Sequence, residues 1–336
     1  MRLSAIGDVC HAAAMVQRII EYSPEIEITW IIGKVEHQLL KGMANVRFVI
    51  FDKRQGSAAV EGLRTELQDE YFDALFLMQV AFRANWVSRV IKAKMRIGFD
   101  WARSKELHWL FARKRIAAQK HAHVLEGFMG FADAIGVPHS ASLKWDIPLS
   151  ADEENVGKSL KAKLDNYMVI SPAASKAERN WLPERYAAVA DHAVQKGFAV
   201  VICGGPAVLD KTLGQQIQSA MENSCENWVG KTSLKEMLAI LKYSELVLAP
   251  DTGPAHMATT VGTPVIGLYA HSNPRRTGPF NDLDKVVSVY DETIKKQTGK
   301  NWDELPWGKR AKGEELMARI DVDTVITMFD KTIQRS

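Results

Sequence analysis

Cysteine is scarce in this sequence, and long apolar runs are missing from it. The 336 residues include only three cysteines, widely separated and without CxxC spacing: Cys10, Cys203 and Cys225. This usage argues against a disulfide framework or a cysteine zinc site and favours a reducing, cytoplasmic compartment. No apolar run approaches the ~20 residues that a membrane helix needs, and the N-terminus lacks the apolar core of a signal peptide. We therefore expect any membrane contact to be peripheral.

Several ligand-binding signatures are also missing. No G-x-G-x-x-G follows a candidate strand, which argues against a nicotinamide or flavin cofactor. Gly230-Lys231-Thr232 resembles the end of a P-loop, but Cys225 stands where that motif needs glycine. The histidines have no HExxH spacing, so no metal site is predicted. The net charge of +3 is too small to indicate nucleic-acid binding.

Alternating strand and helix patterns dominate what is present. Apolar runs of strand length occur at residues 25–32, 45–51, 73–78, 167–171, 198–203, 246–249 and 264–269. Helical spacing of apolar residues separates them, as at Val9, Ala13, Val16 and Ile20. Ser233 and Glu236 form a capping box that opens a helix at 234–241. The alternation predicts the α/β class, with two doubly wound, Rossmann-like domains of parallel strands that face each other.

The length of 336 residues suits two domains. Residues 136–151, which include two prolines, are the best linker candidate, and we place the domains at 1–148 and 149–310. Residues 311–336 are expected to form a C-terminal helix that packs back on the first domain. Only residues 1–3 precede the first predicted loop, fewer than a central strand needs, which leaves open whether the natural chain begins upstream.

The most informative segment runs from Leu246 to Ala258. An apolar strand ends at Pro250, Thr252 can cap the helix that follows, and Gly253 lets another backbone approach closely. The first turn of that helix presents free N–H groups and the positive end of its dipole, which together favour a phosphate. His256 on this turn can add a donor for the same anion. The alternative is an ordinary capped helix in which His256 is a packed side chain.

A second segment, Ser171–Pro183, follows one of the predicted strands and precedes a helix. Its small residues let a ligand come near, and two basic side chains supply positive charge. Arg179 can bind a phosphate through two parallel hydrogen bonds, whereas Lys176 acts as a point charge. The alternative is a solvated loop with two basic residues.

The third segment is Ser4-Ala5-Ile6-Gly7-Asp8, at the first strand-to-helix junction. Gly7 permits a tight turn, and Asp8 at the helix start is expected to face the cleft between the domains. It can serve as a general base that takes a proton from an acceptor hydroxyl. The alternative is an N-cap residue with no further role.

Basic residues with interleaved aromatics occupy part of the first domain. The cationic residues are Arg83, Arg89, Lys92, Lys94, Arg96, Arg103, Arg113, Lys114, Arg115, Lys120, His121 and His123, and the aromatics are Trp86, Phe99, Trp101, Trp109 and Phe111. Their density predicts a surface for a polyanion with apolar parts. An anionic glycolipid, a membrane surface and a nucleic acid all fit this pattern, and a solvated basic face is the alternative.

A resemblance to a known family rests on three motifs. They are Ser4-Ala5-Ile6-Gly7-Asp8-Val9, Arg179-Asn180-Trp181-Leu182-Pro183, and Asp251-Thr252-Gly253-Pro254-Ala255-His256 followed by Gly262-Thr263-Pro264-Val265. Their order and spacing resemble the ADP-heptose:lipopolysaccharide heptosyltransferases of glycosyltransferase family 9. The resemblance implies a GT-B fold and inverting, metal-independent transfer of L-glycero-D-manno-heptose from ADP-heptose to the Kdo-lipid A inner core. It also implies no cofactor, no nucleic-acid partner, and peripheral contact with the inner face of the inner membrane.

The same resemblance assigns site residues. Asp8 would be the base. The donor would be held by Ser175 and Arg179 on the diphosphate, by Asp251 on the sugar, and by Thr252, Gly253 and His256, which would border the diphosphate. Lys176 is a further donor-binding candidate because of its charge in the same loop. Arg179 stands where many members have lysine, so its charge is kept but its geometry is not. The acceptor would bind the first domain, where our candidates are Arg83, Arg113, Lys120 and His123.

Other functions stay open at the level of sequence. The segment from Tyr269 to Pro279 is closer to heptosyltransferase I, but heptosyltransferase II or another nucleotide-sugar transferase of the family would use the same motifs. A non-catalytic module that binds nucleotide sugars or glycolipids is a different class, and it would release no ADP in the presence of acceptor. An NAD-dependent oxidoreductase on similar sheets would need the missing glycine fingerprint.

Overall fold

The alternating pattern folds into two units, Met1–Pro148 and Leu149–Ser336. The structure is a computed structural model that describes residues 1–139 and 143–334. Part of the predicted linker, residues 140–142, and the end of the predicted C-terminal segment, residues 335–336, therefore lie outside the described residues. No helix in the described part of the chain is both long and apolar enough to cross a membrane.

Helices and strands alternate along each unit. The first unit contains α1 (Ile6–Tyr22), β1 (Ile28–Gly33), α2 (Lys34–Leu40), β2 (Val46–Phe51), α3 (Ser57–Glu66), β3 (Phe72–Phe76), α4 (Phe82–Val87), β4 (Ala93–Gly98), β5 (Lys114–Arg115) and α5 (Val124–Ala134). The second contains α6 (Ala151–Leu164), β6 (Tyr167–Ile170), α7 (Pro183–Gln195), β7 (Ala199–Ile202), α8 (Val208–Ala220), β8 (Glu226–Asn227), α9 (Leu234–Tyr243), β9 (Leu246–Pro250), α10 (Gly253–Thr260), β10 (Val265–Tyr269), α11 (Pro274–Thr277), β11 (Val286–Ser288), α12 (Tyr290–Thr298) and α13 (Val322–Ile333). The α/β class with parallel strands is confirmed, and α9 opens on the predicted capping box of Ser233 and Glu236.

Residues 1–3 join two groups of parallel strands in the first unit. β1 pairs with β2 in one group, and β3, β4 and β5 pair in that order in the other. On one side, Arg2 N donates a hydrogen bond to Ile31 O at 3.2 Å; on the other, Met78 N donates to Met1 O at 3.2 Å. These few residues, although shorter than an ordinary central strand, therefore make strand-like hydrogen bonds to both groups.

Helix α1 begins at Ile6 because Ala5, in extended backbone, is its N-cap residue. Asp8 is thus the third residue of the helix and not its cap: its Oδ2 accepts a hydrogen bond from Ala5 N at 3.2 Å. The side chains at the predicted helical spacing are all buried: Val9, Ala13, Val16 and Ile20. This buried face packs the helix into the first unit, where it contacts α5.

The second unit is built on one six-stranded parallel sheet, ordered β11-β10-β9-β6-β7-β8. The central strands β6, β9 and β10 are buried along their whole length, as is usual when helices cover both faces of a sheet. Because the strands are parallel, the loops after β6, β7, β9 and β10 all leave the sheet at one edge. We call it the carboxyl edge.

The C-terminal helix α13 completes the core of the second unit. Phe329 is fully buried, and its ring centroid lies 5.8 Å from that of His192 and 5.5 Å from that of Phe198, in T-shaped contacts. His192 Nε2 also lies 2.8 Å from Asp330 Oδ1. The apolar face of α13 is buried in this core, and the expectation that residues 311–336 also pack back on the first domain stays a prediction.

A buried histidine fixes the loop between β4 and β5. His108 Nε2 accepts a hydrogen bond from Phe99 N at 3.1 Å, and its Nδ1 lies 2.9 Å from Asn85 Oδ1. The network requires a neutral ring with its proton on Nδ1, because Nε2 must accept. Burial, with a smaller contribution from the charge of Arg115, lowers the pKa of His108 from 6.5 to about 4.

We predict that His108 makes the free energy of unfolding depend on pH between 6.5 and about 4. Its pKa in the folded chain lies below its pKa in the unfolded chain, so the unfolded chain binds the proton more readily and stability falls as the pH falls. The loss is on the order of 3 kcal/mol. Urea unfolding of the wild type and of His108→Gln across this range measures it.

The wild type should lose more stability than the variant over this pH range, and equal slopes for the two proteins would contradict the prediction. The control is His139→Gln, which removes an exposed histidine and should leave the slope of the wild type unchanged.

Candidate functional site

Polar side chains gather at the carboxyl edge of the second unit. They lie on three loops: the loop that follows β6, the loop from β9 into α10, and the loop from β10 into α11. β6, β9 and β10 are neighbours in the sheet, so these loops emerge side by side. Parallel α/β sheets bind their ligands at this edge.

The loop after β9 places an acid and a histidine at the start of α10. Asp251 Oδ1 lies 3.8 Å from His256 Nε2, and both side chains are largely buried. The helix begins at Gly253, with Pro254 in its first turn. Thr252 is the N-cap residue, but its buried hydroxyl does not cap the helix, so the predicted side-chain cap is wrong. That hydroxyl also bonds no other described residue. That hydroxyl is therefore available to a ligand.

Asp251 is held in its ionised form. Burial raises the pKa of this carboxyl, but the His256 and Ser272 side chains and the charge of Arg179 outweigh burial, so the pKa lies below its ordinary value. Thr277 Oγ1 approaches Asp251 Oδ2 at 3.5 Å as a further donor. An ionised carboxylate accepts hydrogen bonds only, so Asp251 suits a ligand that carries hydroxyl groups.

Arg179 lies in the loop after β6, at the end of a short 3-10 helix. Its Nε is buried and has no hydrogen-bond partner among the described residues, whereas buried polar atoms in proteins normally have one. Its charge acts on Asp251. Ser175 and Lys176 in the same loop are exposed, and Lys176 Nζ lies 3.7 Å from Glu178 Oε1. The structure thus brings Arg179 to Asp251 and leaves Lys176 at the surface.

The loop after β10 carries polar residues that the sequence analysis did not name as binding residues. His271 is buried, with Nε2 2.8 Å from Gly313 O, and its Nδ1 has no hydrogen-bond partner in the described ranges. Ser272 helps to keep Asp251 ionised. The available signal was position along the chain, since His271 and Ser272 follow the apolar strand β10 much as Asp251 follows β9.

Together these groups have the chemistry of a candidate site for an anion. The N-terminus of α10 carries a partial positive charge, and Arg179 adds a full one. Arg179 Nε and Thr252 Oγ1 are buried without protein partners, and a ligand with acceptor oxygens would remove the free-energy cost of leaving them unbonded. Phosphate oxygens have this chemistry.

In the first unit, Asp8 is paired with an arginine that the sequence analysis did not name. Arg2 Nη2 forms an ion pair with Asp8 Oδ2, and Arg2 Nη1 donates to Met78 O at 2.6 Å. The guanidinium also lies 5.5 Å from the centroid of the Phe128 ring. Because 33% of the Asp8 side chain stays exposed, the carboxylate is held in place and still reachable.

The four candidate acceptor residues occupy different surroundings. Arg83, Arg113 and Lys120 are exposed, and Arg83 Nη2 donates to Lys53 O at 2.8 Å. His123 is buried as the N-cap residue of α5, where its Nδ1 accepts a hydrogen bond from the main chain at 3.1 Å. Its ring also meets the His11 ring edge to face, with 5.2 Å between centroids. Arg83, Arg113 and Lys120 are therefore accessible to a ligand, whereas His123 caps α5.

No group of three or more His, Cys, Asp or Glu side chains within residues 1–139 and 143–334 is arranged to hold a metal ion.

Known proteins resemble this chain in sequence and in fold. The model of glycosyltransferase family 9 (heptosyltransferase) matches residues 60–308. The lipopolysaccharide core heptosyltransferase OpsX of Haemophilus influenzae is 47% identical over 331 residues, which cover 98% of this chain and 95% of OpsX. A family 9 glycosyltransferase of Veillonella parvula has a TM-score of 0.80 at 20% identity, covering 99% of this chain and 96% of its own. The E. coli heptosyltransferase WaaC with ADP has a TM-score of 0.77 at 18% identity, covering 99% and 100%. These likenesses confirm the predicted GT-B fold.

We predict that inorganic pyrophosphate binds the carboxyl edge through Arg179. Arg179→Ala should weaken its binding by about tenfold or more, because a hydrogen bond to a charged group is worth roughly 1.5–3 kcal/mol. Isothermal titration of the full chain with pyrophosphate measures the change.

Lys196→Ala is the matched control, since it removes an exposed charge of the same unit that lies outside the loops of the carboxyl edge. Such a charge contributes about 0–1 kcal/mol, so this variant should bind within a few-fold of the wild type. Equal losses in the two variants would mean that only the overall charge of the unit matters.

Proposed function

The chain belongs to glycosyltransferase family 9 and is a heptosyltransferase of the lipopolysaccharide core, and from that premise we propose its donor, acceptor and mechanism. It transfers L-glycero-D-manno-heptose from ADP-heptose to the Kdo residue of Kdo-lipid A, with inversion at the anomeric carbon and without a metal ion or cofactor. It works in the cytoplasm, in peripheral contact with the inner face of the inner membrane. The observation that carries the proposal is the meeting of Arg179, Thr252 and Asp251 at one edge.

The second unit binds the donor. As the bond from the anomeric carbon to the diphosphate breaks, negative charge builds on the leaving oxygens. Arg179 and the positive end of α10 stabilise that charge, and the hydroxyl of Thr252 donates to a phosphate oxygen. Gly253 has no side chain to keep the phosphate from the helix N-terminus. Asp251 accepts hydrogen bonds from the hydroxyl groups of the heptose.

The remaining donor residues have supporting roles. Ser175 and Lys176, exposed beside Arg179 in the chain, meet the outer oxygens of the diphosphate. His256, in the first turn of α10 and 3.8 Å from Asp251, borders the diphosphate and keeps Asp251 ionised.

The first unit supplies the base. Asp8 takes the proton from the attacking hydroxyl of the acceptor as that oxygen bonds to the anomeric carbon and ADP departs. The contacts of Asp8 with Arg2 and with Ala5 N both fall on Oδ2, so we assign the proton transfer to Oδ1. Arg2 is a positioning residue, because it fixes the orientation of the carboxylate.

Positive charge in the first unit suits the acceptor. Kdo-lipid A carries carboxylate and phosphate groups, and the exposed Arg83, Arg113 and Lys120 supply partners for them. His123 contributes differently from the way the sequence suggested. It is buried against His11, which lies one helical turn after Asp8, so we assign it the positioning of α1.

We predict that Asp8→Asn lowers turnover by about 10²- to 10⁴-fold and leaves the Kd for ADP unchanged. Asparagine keeps the size of the side chain but cannot take the proton. The measurement is ADP release from ADP-heptose in the presence of Kdo-lipid A, with the Kd for ADP from isothermal titration. Asp73→Asn, which changes an exposed carboxylate of the same unit, is the control and should keep wild-type turnover. Full turnover in Asp8→Asn would exclude the base assignment.

A panel of acceptors tests the rest of the proposal. ADP release should require Kdo-lipid A without heptose. Release only with an acceptor that already carries one heptose would identify transfer of the second heptose instead. Binding of ADP-heptose without release on any acceptor would support a non-catalytic binding module.

A further inference from the structure

An apolar surface is exposed in the first unit although it is rich in large side chains. Phe82 and Trp86 on α4 are 41% and 52% exposed, and on the loop after β4 Trp101 is 65% and Leu110 is 58% exposed. Leu107 and Trp109 in the same loop are also exposed. We call these six side chains the tryptophan surface. Soluble proteins seldom leave such clusters in water unless the cluster binds something.

The two segments that carry the tryptophan surface are held together. The rings of Phe82 and Phe111 meet with 6.0 Å between centroids, and Phe82 N donates to Glu106 Oε2 at 2.8 Å. Beneath them, the buried contact of His108 with Asn85 joins the loop to α4. The two segments therefore lie side by side on a fixed base.

Arginines lie on the tryptophans of this surface. Arg89 lies 4.4 Å from the centroid of the Trp86 ring, and Arg115 lies 3.9 Å from that of Trp101. Residues 81–120 hold eleven Lys or Arg and only two Asp or Glu, whereas the whole chain has a net charge of +3. Positive charge is thus concentrated on the segment that exposes the apolar side chains, and the partner it fits is both apolar and anionic.

We propose that the tryptophan surface docks the protein on an anionic lipid bilayer. Tryptophan and leucine enter the interfacial layer, where amphipathic rings are favoured, and the neighbouring arginines and lysines contact the anionic headgroups. The proposal rests on the proposed function and deepens it, because it names the surface that makes the peripheral contact with the membrane.

The position of the surface in the first unit agrees with this role. α4 follows β3, and the loop with Trp101 to Leu110 follows β4. In a parallel sheet these segments lie at the carboxyl ends of the strands, the same edge at which residues 1–3 end before Asp8. A bilayer held by this surface would present the sugar of a lipid-linked acceptor at the edge that carries the proposed base.

The test is sedimentation of the full chain with vesicles that contain no acceptor. Vesicles of phosphatidylethanolamine and phosphatidylglycerol should bind it, vesicles of phosphatidylcholine should bind at least tenfold less, and binding should weaken as salt is raised. The variant Trp86→Ser with Leu110→Ser should lose at least tenfold in affinity for the anionic vesicles. The variant Arg89→Glu with Lys105→Glu should lose a similar factor.

Matched controls distinguish binding through the tryptophan surface from nonspecific binding by other exposed apolar side chains. Tyr71→Ser with Val208→Ser removes two exposed apolar side chains outside the surface and should bind vesicles as the wild type does. The proposal would be overturned if the wild type did not bind anionic vesicles. It would also be overturned if the control variant lost as much affinity for them as Trp86→Ser with Leu110→Ser. Concentration-dependent self-association that Trp86→Ser with Leu110→Ser abolishes would overturn it as well, since the surface would then join copies of the chain.

Vesicle binding is measured without donor or acceptor, so it stands or falls apart from heptosyl transfer. The Trp86→Ser with Leu110→Ser variant should also keep wild-type turnover on a detergent-free, deacylated acceptor and lose turnover on acceptor embedded in vesicles. An equal loss on both acceptors would show that the substitutions disturb the active site instead.

Discussion

Main-chain hydrogen bonds from residues 1–3 hold the first unit together, because they join two groups of strands that share no other ladder among the described residues. Leu3 O accepts from Gly33 N at 3.0 Å, and glycine is needed there since any side chain would collide with that carbonyl. Arg2 O accepts a further bond from the Trp30 ring at 3.1 Å. These bonds fix residues 1–3, and the chain then turns into α1 so that Arg2 and Asp8 form their ion pair. The proposed base therefore depends on bonds made before its helix begins.

In the second unit, the proposed function has one arginine interact with two anions. The charge of Arg179 helps to keep Asp251 ionised, and in the proposed function it also binds the diphosphate. A bound diphosphate then competes for the same guanidinium and lessens its effect on Asp251. His256 and Ser272 compensate, because they favour the carboxylate without depending on Arg179. The site can thus hold a negatively charged donor next to an acid that stays ionised.

The sequence predicted the elements that depend on a local pattern of residues. Strands with apolar runs and the capping box of α9 were found, whereas β4 was missed although Lys94 and Arg96 alternate with Met95 and Ile97. The candidate site could be predicted as a group because residues that follow parallel strands meet at one edge. Partners brought from elsewhere in the chain could not be predicted: the pairing of Arg2 with Asp8 depends on the turn between them, and the burial of His123 depends on its packing against another helix.

The loop that carries Arg179 is fastened to a distant part of the chain. Trp181 Nε1 donates to Ile320 O at 3.2 Å, across 139 positions of sequence, and Arg185 Nη1 donates to Ala318 O at 2.6 Å. The segment just before α13 therefore packs against the end of the loop that carries Arg179. Among natural relatives, replacement of Trp181 should be accompanied by a changed backbone course around residues 318–320. Substitutions in the segment just before α13 are therefore coupled to the shape of the loop that carries Arg179.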